Sequence, residues 1–198
     1  MRQDTFPPVI FALLMINALV FVAENFFGLR GLLQSLFALF SLGERFMPWQ
    51  LLTYGFLHND VYHLAFNMFG LWMFGRTMEG VWGSVRFLQY YLLCIVGAGL
   101  CQLLATGFPS SYAVTVGASG GLFGILLAFG MTFPNRYIVL LVPPIPMKAK
   151  YFVAIYAAFE LYSGWTRPGS GIAHFAHLGG LVTGLLLILY WRKKRVIR

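Results

Sequence analysis

The sequence predicts an all-α integral membrane protein, built as a bundle of six transmembrane helices. Three observations predict it: 59% of the 198 residues are hydrophobic, only 10% are charged, and the mean hydropathy is +0.75. Soluble domains carry about a quarter charged residues, so this chain has too few polar side chains to cover a globule in water. From the length we expect residues 1–198 to form a single membrane domain.

Six apolar segments are separated by turn or charge signals. Several are shorter than the roughly 20 residues that cross a full hydrocarbon core, which indicates local thinning or helices that begin inside a protein-lined cavity. The second and fourth segments are expected to be of the latter kind. No cleavage site follows the first segment, so we interpret it as a retained span. The predicted segments are 9–27, 61–78, 85–105, 118–133, 147–163 and 172–191.

The long connection after the first segment is unusual. Residues 28–42 are apolar with scattered polar positions, and they are predicted to form one or two helices in the outer membrane interface. A seventh crossing is the alternative interpretation. It would weaken the charge asymmetry described next.

The 14 lysines and arginines are distributed unevenly along the chain. With the N-terminus inside, only Arg30, Arg45 and Arg167 fall outside, and the other 11 fall inside. The positive-inside rule therefore predicts that both termini are cytoplasmic. Five basic residues directly follow the last apolar segment, where they anchor the chain on anionic lipid. The net charge of +8 therefore indicates the lipid bilayer as a partner and not a nucleic acid. We expect a compact form in a bacterial inner membrane.

Histidines mark the first candidate functional positions, because ionisable side chains at membrane depth are costly. His63 and Asn67 are one helical turn apart and share a face of the second segment. Asn59 or Asp60 is the expected N-cap of this helix. The alternative for His58 is a solvated position in the outer loop. The four histidines are His58, His63, His174 and His177.

A serine and a histidine each accompany a stripe of glycines. Ser119 begins the fourth segment, and His177 lies about five residues into the sixth. Small residues four apart let two membrane helices approach closely, which a direct Ser–His hydrogen bond requires. At about 1.5 Å per residue, Ser119, His177 and His63 all fall within several Å of the outer helix ends. The glycine pairs are Gly120 with Gly124 and Gly180 with Gly184.

Together these residues resemble the six-span rhomboid intramembrane serine proteases, over nearly the whole chain. The resemblance rests on His-Leu-Ala-Phe-Asn at 63–67, on Gly-Ala-Ser-Gly at 117–120, and on Ala-His at 176–177 followed by Gly180 and Gly184. Each motif is modest. Their combination, order and placement in the spans are specific.

The resemblance implies hydrolysis of peptide bonds in transmembrane segments of other proteins, without a cofactor or metal. It implies Ser119 as the nucleophile and His177 as the general base, and an active site that opens to the outer side. It also implies His63 and Asn67 as oxyanion donors, assisted by the backbone N–H of Ser119. The residues with implied supporting roles are His58, Gly117, Gly120, Phe123, Gly180 and Gly184.

The chain departs from the family pattern at three positions. Phe123 replaces a tyrosine found in many relatives, so ring packing against His177 is expected without a hydroxyl contact. Val81 replaces a frequent arginine, which leaves the structural ion pair expected of Glu79 in question. Gln50 replaces an arginine that often follows tryptophan at the start of the second segment.

We expect a two-residue catalytic dyad, because no carboxylate stands ready to orient His177. Asp60 is expected at the outer rim and Glu160 in a structural role. His174 is expected as a polar residue on the loop side, and the alternative is a side chain that supports His177 from three residues before it. Residues 164–171 are predicted to form a mobile cap over the site.

Two other functions stay open. A metal hydrolase or carrier would use His63, His174 and His177 as ligands, but the chain has no H-E-x-x-H motif and no acidic residue at the shared depth. A non-catalytic binder of client helices would use the same groove without depending on Ser119 or His177.

Overall fold

The computed structural model describes residues 7–106, 114–139, 144–166 and 173–197, which form nine α-helices and two short antiparallel strand pairs. The helices are α1 (Pro8–Phe26), α2 (Arg30–Phe37), α3 (Gln50–Thr53), α4 (Val61–Gly70), α5 (Arg76–Trp82), α6 (Ser84–Thr106), α7 (Ser119–Thr132), α8 (Ala149–Thr166) and α9 (His174–Lys193). A 3₁₀ turn (Tyr54–Phe56) continues α3, and a π-helical stretch (Leu71–Gly75) joins α4 to α5. Strand β1 (Leu39–Phe40) pairs with β2 (Val114–Thr115), and β3 (Tyr137–Val139) pairs with β4 (Pro146–Lys148).

Helix dominates the fold, which confirms the predicted all-α class. Helices α1, α6 and α9 have 19, 23 and 20 residues and are apolar enough to cross a membrane. Helix α7 has only 14 residues. At 1.5 Å per residue it is about 21 Å long, shorter than a hydrocarbon core of about 30 Å. This length agrees with a helix that begins inside the bundle.

Each of the six predicted apolar segments coincides with a helix, and the boundaries differ by at most four residues. The largest difference is in the second segment, which was predicted to end at residue 78 but continues through the π-helical stretch to Trp82. The helix ends at Gly83, whose φ of +78° favours glycine and whose N–H donates to the carbonyl of Glu79.

The first connection contains two short helices. Helix α2 has eight residues, about 12 Å, which is much shorter than a bilayer crossing and favours the predicted interfacial helices over a seventh span. Two side chains connect α3 to α2. The indole N–H of Trp49 donates to the carbonyl of Leu36 at 2.9 Å, and the hydroxyl of Thr53 donates to the carbonyl of Phe37 at 2.8 Å. The buried Gln50 side chain bonds to backbone groups of the same connection.

Glu79 caps the start of α1, in place of the ion pair whose arginine is replaced by Val81. Its carboxylate accepts from the backbone N–H of Val9 at 3.0 Å and of Ile10 at 2.9 Å, and from the hydroxyl of Ser84 at 2.6 Å. A negative charge at a helix N-terminus binds unpaired N–H groups and complements the helix dipole. Glu79 therefore fastens α1 to the α5–α6 corner.

Glycines bring α7 and α9 into backbone contact. A Cβ on Gly180 would overlap the carbonyl of Gly120, and a Cβ on Gly184 would lie 3.2 Å from the Cα of Gly124. Such close approach is typical of small-x-x-x-small helix pairs in membranes. Helix α6 packs on the same pair, and a Cβ on Gly179 would meet Ala98 at 2.9 Å. These contacts fix the start of α7 beside the start of α9.

The outer surface is apolar, while several polar side chains are buried. Phe26, Leu104 and Trp165 are 80%, 84% and 84% exposed, whereas Asn17 and Glu24 are 0% and 1% exposed. A water-soluble monomer rarely exposes large contiguous apolar patches. This surface agrees with a protein whose solvent is the bilayer.

Candidate active site

Ser119 is the first residue of α7, at the end of a constrained approach. Gly117 has a φ of +122°, which favours glycine, and its N–H donates to the carbonyl of Tyr54 at 2.9 Å. The hydroxyl of Tyr54 in turn donates to the carbonyl of Ile95 at 2.8 Å. The turn before Ser119 is thus bonded to the 3₁₀ turn at Tyr54, which is itself bonded to α6. The serine lies at the N-terminus of α7.

The imidazole of His177 meets the hydroxyl of Ser119 across the α7–α9 contact. His177 Nε2 and Ser119 Oγ are 2.8 Å apart and partly buried. The ring of Phe123, one turn after the serine, stacks on the imidazole with centroids 4.3 Å apart and planes 9° apart. The expected ring packing is therefore present without a hydroxyl. A serine whose Oγ–H points at a neutral imidazole nitrogen can be activated as a nucleophile.

His63 and Asn67 lie on the α4 face that is turned toward this site. Asp60 is the N-cap of α4, accepting from the N–H of His63 at 2.9 Å, and Asn67 Nδ2 donates to the carbonyl of His63 at 3.0 Å. From an ideal Cβ position on Gly117, His63 Nε2 is 2.6 Å away and Asn67 Nδ2 is 3.9 Å away. Both nitrogens therefore converge on the backbone two residues before Ser119.

His58 lies against the ring of His63. The two imidazole centroids are 5.0 Å apart in an edge-on arrangement. His58 is 0% exposed, and neither of its ring nitrogens has a hydrogen-bond partner among the described residues. The alternative of a solvated histidine is therefore wrong. Burial, with a contribution from the neighbouring His63, lowers the pKa of His58 from 6.5 to about 3, so the ring is neutral.

A carboxylate lies beside His177, contrary to the sequence-based expectation. Glu160 Oε2 of α8 is 3.0 Å from His177 Nδ1 and 2.6 Å from His174 Nδ1. Glu160 and His174 are 4% and 5% exposed, so His174 is not the loop-side residue that we expected. The signal available in the sequence was a lone glutamate within an apolar helix, together with a histidine three residues before His177.

The same three residues are the candidate metal ligands among the described residues. One ligand atom from each of Glu160, His174 and His177 lies within 4.8 Å of the others. Ligands bound to one zinc at about 2.0–2.1 Å in tetrahedral geometry are roughly 3.3 Å apart. The Glu160–His174 separation of 2.6 Å is shorter than this and suits a hydrogen bond. The described geometry therefore favours a proton shared between two side chains over a bound cation.

The predicted cap of residues 164–171 lies mostly outside the described residues. Only 164–166 belong to the described part of the chain, as the last turn of α8. Its predicted mobility stays a prediction.

Comparison with known proteins identifies the family. Residues 45–194 match the family model described as the Rhomboid domain. The chain belongs to the rhomboid family. Membership confirms the resemblance inferred from the sequence and supports an intramembrane protease function.

Rhomboid relatives come from several membrane systems. Rhomboid protein 1, mitochondrial, of Saccharomyces cerevisiae is 33% identical over 150 residues, covering 70% of this chain and 40% of the relative. Rhomboid-like protein 11, chloroplastic, of Arabidopsis thaliana is 33% identical over 188 residues, covering 90% and 64%. Rhomboid protease GluP of Bacillus subtilis is 32% identical over 137 residues, covering 69% and 24%. This rhomboid chain therefore spans less than two thirds of the length of each of these relatives.

Proposed function

We propose that this rhomboid-family protein is an intramembrane serine endopeptidase that cuts transmembrane segments of other proteins. The observation that carries the proposal is the 2.8 Å contact between Ser119 Oγ and His177 Nε2 inside an apolar helical bundle. The named protease activity of the Bacillus subtilis relative supports the same reaction.

In the proposed mechanism Ser119 attacks the scissile carbonyl and forms an acyl-enzyme. His177 accepts the hydroxyl proton as the serine oxygen bonds to the carbonyl carbon, and it then gives that proton to the leaving amine. Water attacks the ester with His177 again acting as base, which releases the second product and restores the serine hydroxyl.

The negative charge of the tetrahedral intermediate forms next to three donor groups. The N–H of Ser119 belongs to the first turn of α7, whose N–H groups have no intrahelical acceptor. Asn67 uses one amide hydrogen on the His63 carbonyl and has a second available. His63 faces Gly117 through Nε2, and a long contact of 3.5 Å from the N–H of Asn59 to Nδ1 favours the tautomer with its proton on Nε2.

The proposed substrate is a membrane helix that unwinds near small or helix-breaking residues. In an intact helix every backbone group is hydrogen-bonded and sterically shielded, so a peptide bond must leave the helix before Ser119 can reach it. We further propose that both termini are cytoplasmic and that the site opens to the outer side, as the distribution of basic residues predicts.

Cleavage of a labelled single-span protein by purified enzyme in proteoliposomes tests the proposal. Wild type is expected to release the product, while Ser119→Ala and His177→Ala are not. The control is Ser35→Ala, because Ser35 is an exposed residue of α2 whose hydroxyl donates to the carbonyl of Leu32 in the same helix. Substrate binding without cleavage by wild type would support a non-catalytic helix binder instead. Equal cleavage by wild type and Ser119→Ala would contradict the proposed nucleophile.

A further inference from the structure

Glu160 is a buried acid on the apolar helix α8. A carboxylate removed from water is costly unless charged or hydrogen-bonding partners surround it. Its Oε2 atom lies between two imidazoles, 2.6 Å from His174 Nδ1 and 3.0 Å from His177 Nδ1. The carboxylate therefore faces the nitrogen of His177 opposite to the one that meets Ser119.

We infer that Glu160 is a positioning residue for His177, and that His174 holds the carboxylate in place for this role. The inference rests on the proposed function of the Ser119–His177 pair. It extends the expected dyad to a serine–histidine–glutamate arrangement, in which the acid comes from a different helix and is shared with a second histidine.

The position of His177 Nδ1 supports this role. Its Nδ1 is buried and has no partner with hydrogen-bond geometry among the described residues, although Glu160 Oε2 is within 3.0 Å. A small rotation of the imidazole or the carboxylate would align an Nδ1–H donor with that oxygen. With the proton on Nδ1, Nε2 offers its lone pair to the Ser119 hydroxyl, which is the tautomer that a general base requires.

Charge gives a second contribution. His177 becomes an imidazolium when it accepts the serine proton, and that cation forms where little water is present. An anionic carboxylate 3.0 Å away stabilises the cation more strongly than it would in water. Because the neutral imidazole gains less from the same carboxylate, the contact favours the transition state over the ground state.

His174 fixes the carboxylate from the other side. It is on α9, three residues before His177, and its Nδ1 makes the shorter of the two contacts with Glu160. Helix α8 also contributes Tyr156, which lies one turn before Glu160. The rings of Tyr156 and Phe123 pack together with their centroids 5.3 Å apart. Among the described residues, the titratable side chains around His177 are His63 on α4, Tyr156 and Glu160 on α8, and His174 on α9.

The central test compares Glu160→Gln with wild type, because glutamine keeps the shape and the hydrogen bonding but removes the charge. We expect kcat to fall by about 10- to 100-fold, less than the loss of about 10⁴ when the acid of a Ser-His-Asp triad is replaced by its amide. KM is expected to stay unchanged. The acidic limb of the pH profile of kcat/KM is expected to move to lower pH, since the imidazolium loses its counter-charge. Glu160→Asp should return the limb toward its wild-type position.

The matched control is Glu44→Gln, which removes one exposed carboxylate of the outer connection. It should leave kcat and the pH profile unchanged. If Glu160→Gln does not fold, His174→Phe carries the test, because phenylalanine keeps a flat ring without an N–H for the Glu160 carboxylate, and the negative charge of Glu160 is retained. This variant should lower kcat several-fold without moving the acidic limb to lower pH, and an unchanged kcat would overturn the inference.

Other outcomes would also overturn it. A Glu160→Gln enzyme with a lower melting temperature but wild-type kcat and pH profile would show that the acid only joins α8 to α9. Loss of wild-type activity to a chelator, with recovery on adding Zn²⁺, would make the three side chains a metal site. The proposed function has its own separate test, because it fails if wild type does not cut or if Ser119→Ala and His177→Ala still cut.

Discussion

The rings of Phe123 and His177 lie nearly parallel, with planes 9° apart and centroids 4.3 Å apart. Stacking restricts rotation of the imidazole and shields one of its faces from water. The stack therefore contributes to holding Nε2 toward Ser119, which we propose as the nucleophile.

Replacing Phe123 tests the stack. Leucine fills much of the same volume but lacks a flat face, so Phe123→Leu is expected to lower kcat about 10-fold by loosening the imidazole. Phe123→Tyr keeps the ring and should retain most of the turnover. The measurement is the initial rate of cleavage at saturating substrate, and equal rates for the leucine and tyrosine variants would contradict the role of the stack.

Removing the Asn67 amide tests the oxyanion assignment. An oxyanion donor is typically worth about 3 kcal/mol, so Asn67→Ala is expected to slow kcat by roughly 10² or more. Asn25→Ala is a matched control, because Asn25 donates to the carbonyl of Phe21 four residues earlier, as Asn67 does to His63. Both variants lose one such local bond. An Asn67→Ala enzyme as fast as Asn25→Ala would rule out the donor role.

A methyl group between α7 and α9 should separate the serine from the histidine. Gly180→Ala would press its Cβ onto the carbonyl of Gly120, so we expect a lower melting temperature in detergent and a loss of turnover of at least 10-fold. Gly80→Ala is the control, because no described atom outside its own stretch of helix lies within 4 Å of its ideal Cβ. Wild-type activity and stability in Gly180→Ala would contradict the close approach of the two helices.

Acid is expected to destabilise the fold through His58. Its pKa in the folded protein, about 3, is below the ordinary value of 6.5. Between pH 6.5 and pH 3 the unfolded chain therefore carries a proton on His58 that the folded protein does not. The contribution of the neutral ring to stability is therefore constant above pH 6.5 and is lost as the pH falls toward 3. Between pH 6.5 and 5 this removes about 2 kcal/mol from the free energy of unfolding.

Equilibrium unfolding in mixed micelles at several pH values measures this loss. His58→Leu removes the titrating ring and leaves the acids and the other histidines in place. The stability of this variant should therefore depend less on pH than that of wild type. Parallel pH dependences for the two proteins would show that His58 does not limit stability in acid.

The sequence was informative where a pattern is local. Runs of apolar residues predicted the helices within a few positions, because each helix satisfies its backbone hydrogen bonds internally and needs only sufficient length and hydropathy. The approach of Ser119 to His177 followed from glycine spacing and from the depth of each residue in its segment. The positioning of Asp60 as an N-cap is equally local.

Contacts that depend on how distant helices rotate could not be predicted in this way. Glu160 faces His174 and His177 only because α8 packs at a particular angle on α9, and neither spacing nor hydropathy fixes that angle. Glu79 reaches the N-terminus of α1 about 70 positions earlier in the chain for the same reason. In both cases a buried acid in an apolar segment signalled that a partner must exist, but the sequence did not identify the partner.

Mass-spectrometric mapping of a fluorophosphonate adduct tests most directly whether the hydroxyl of Ser119 is activated by His177. The reagent should modify wild-type protein at Ser119 in preference to its other serines, and His177→Ala should abolish the modification while the protein remains folded. An adduct on a different serine, or equal labelling of Ser119 with and without the imidazole, would contradict the account.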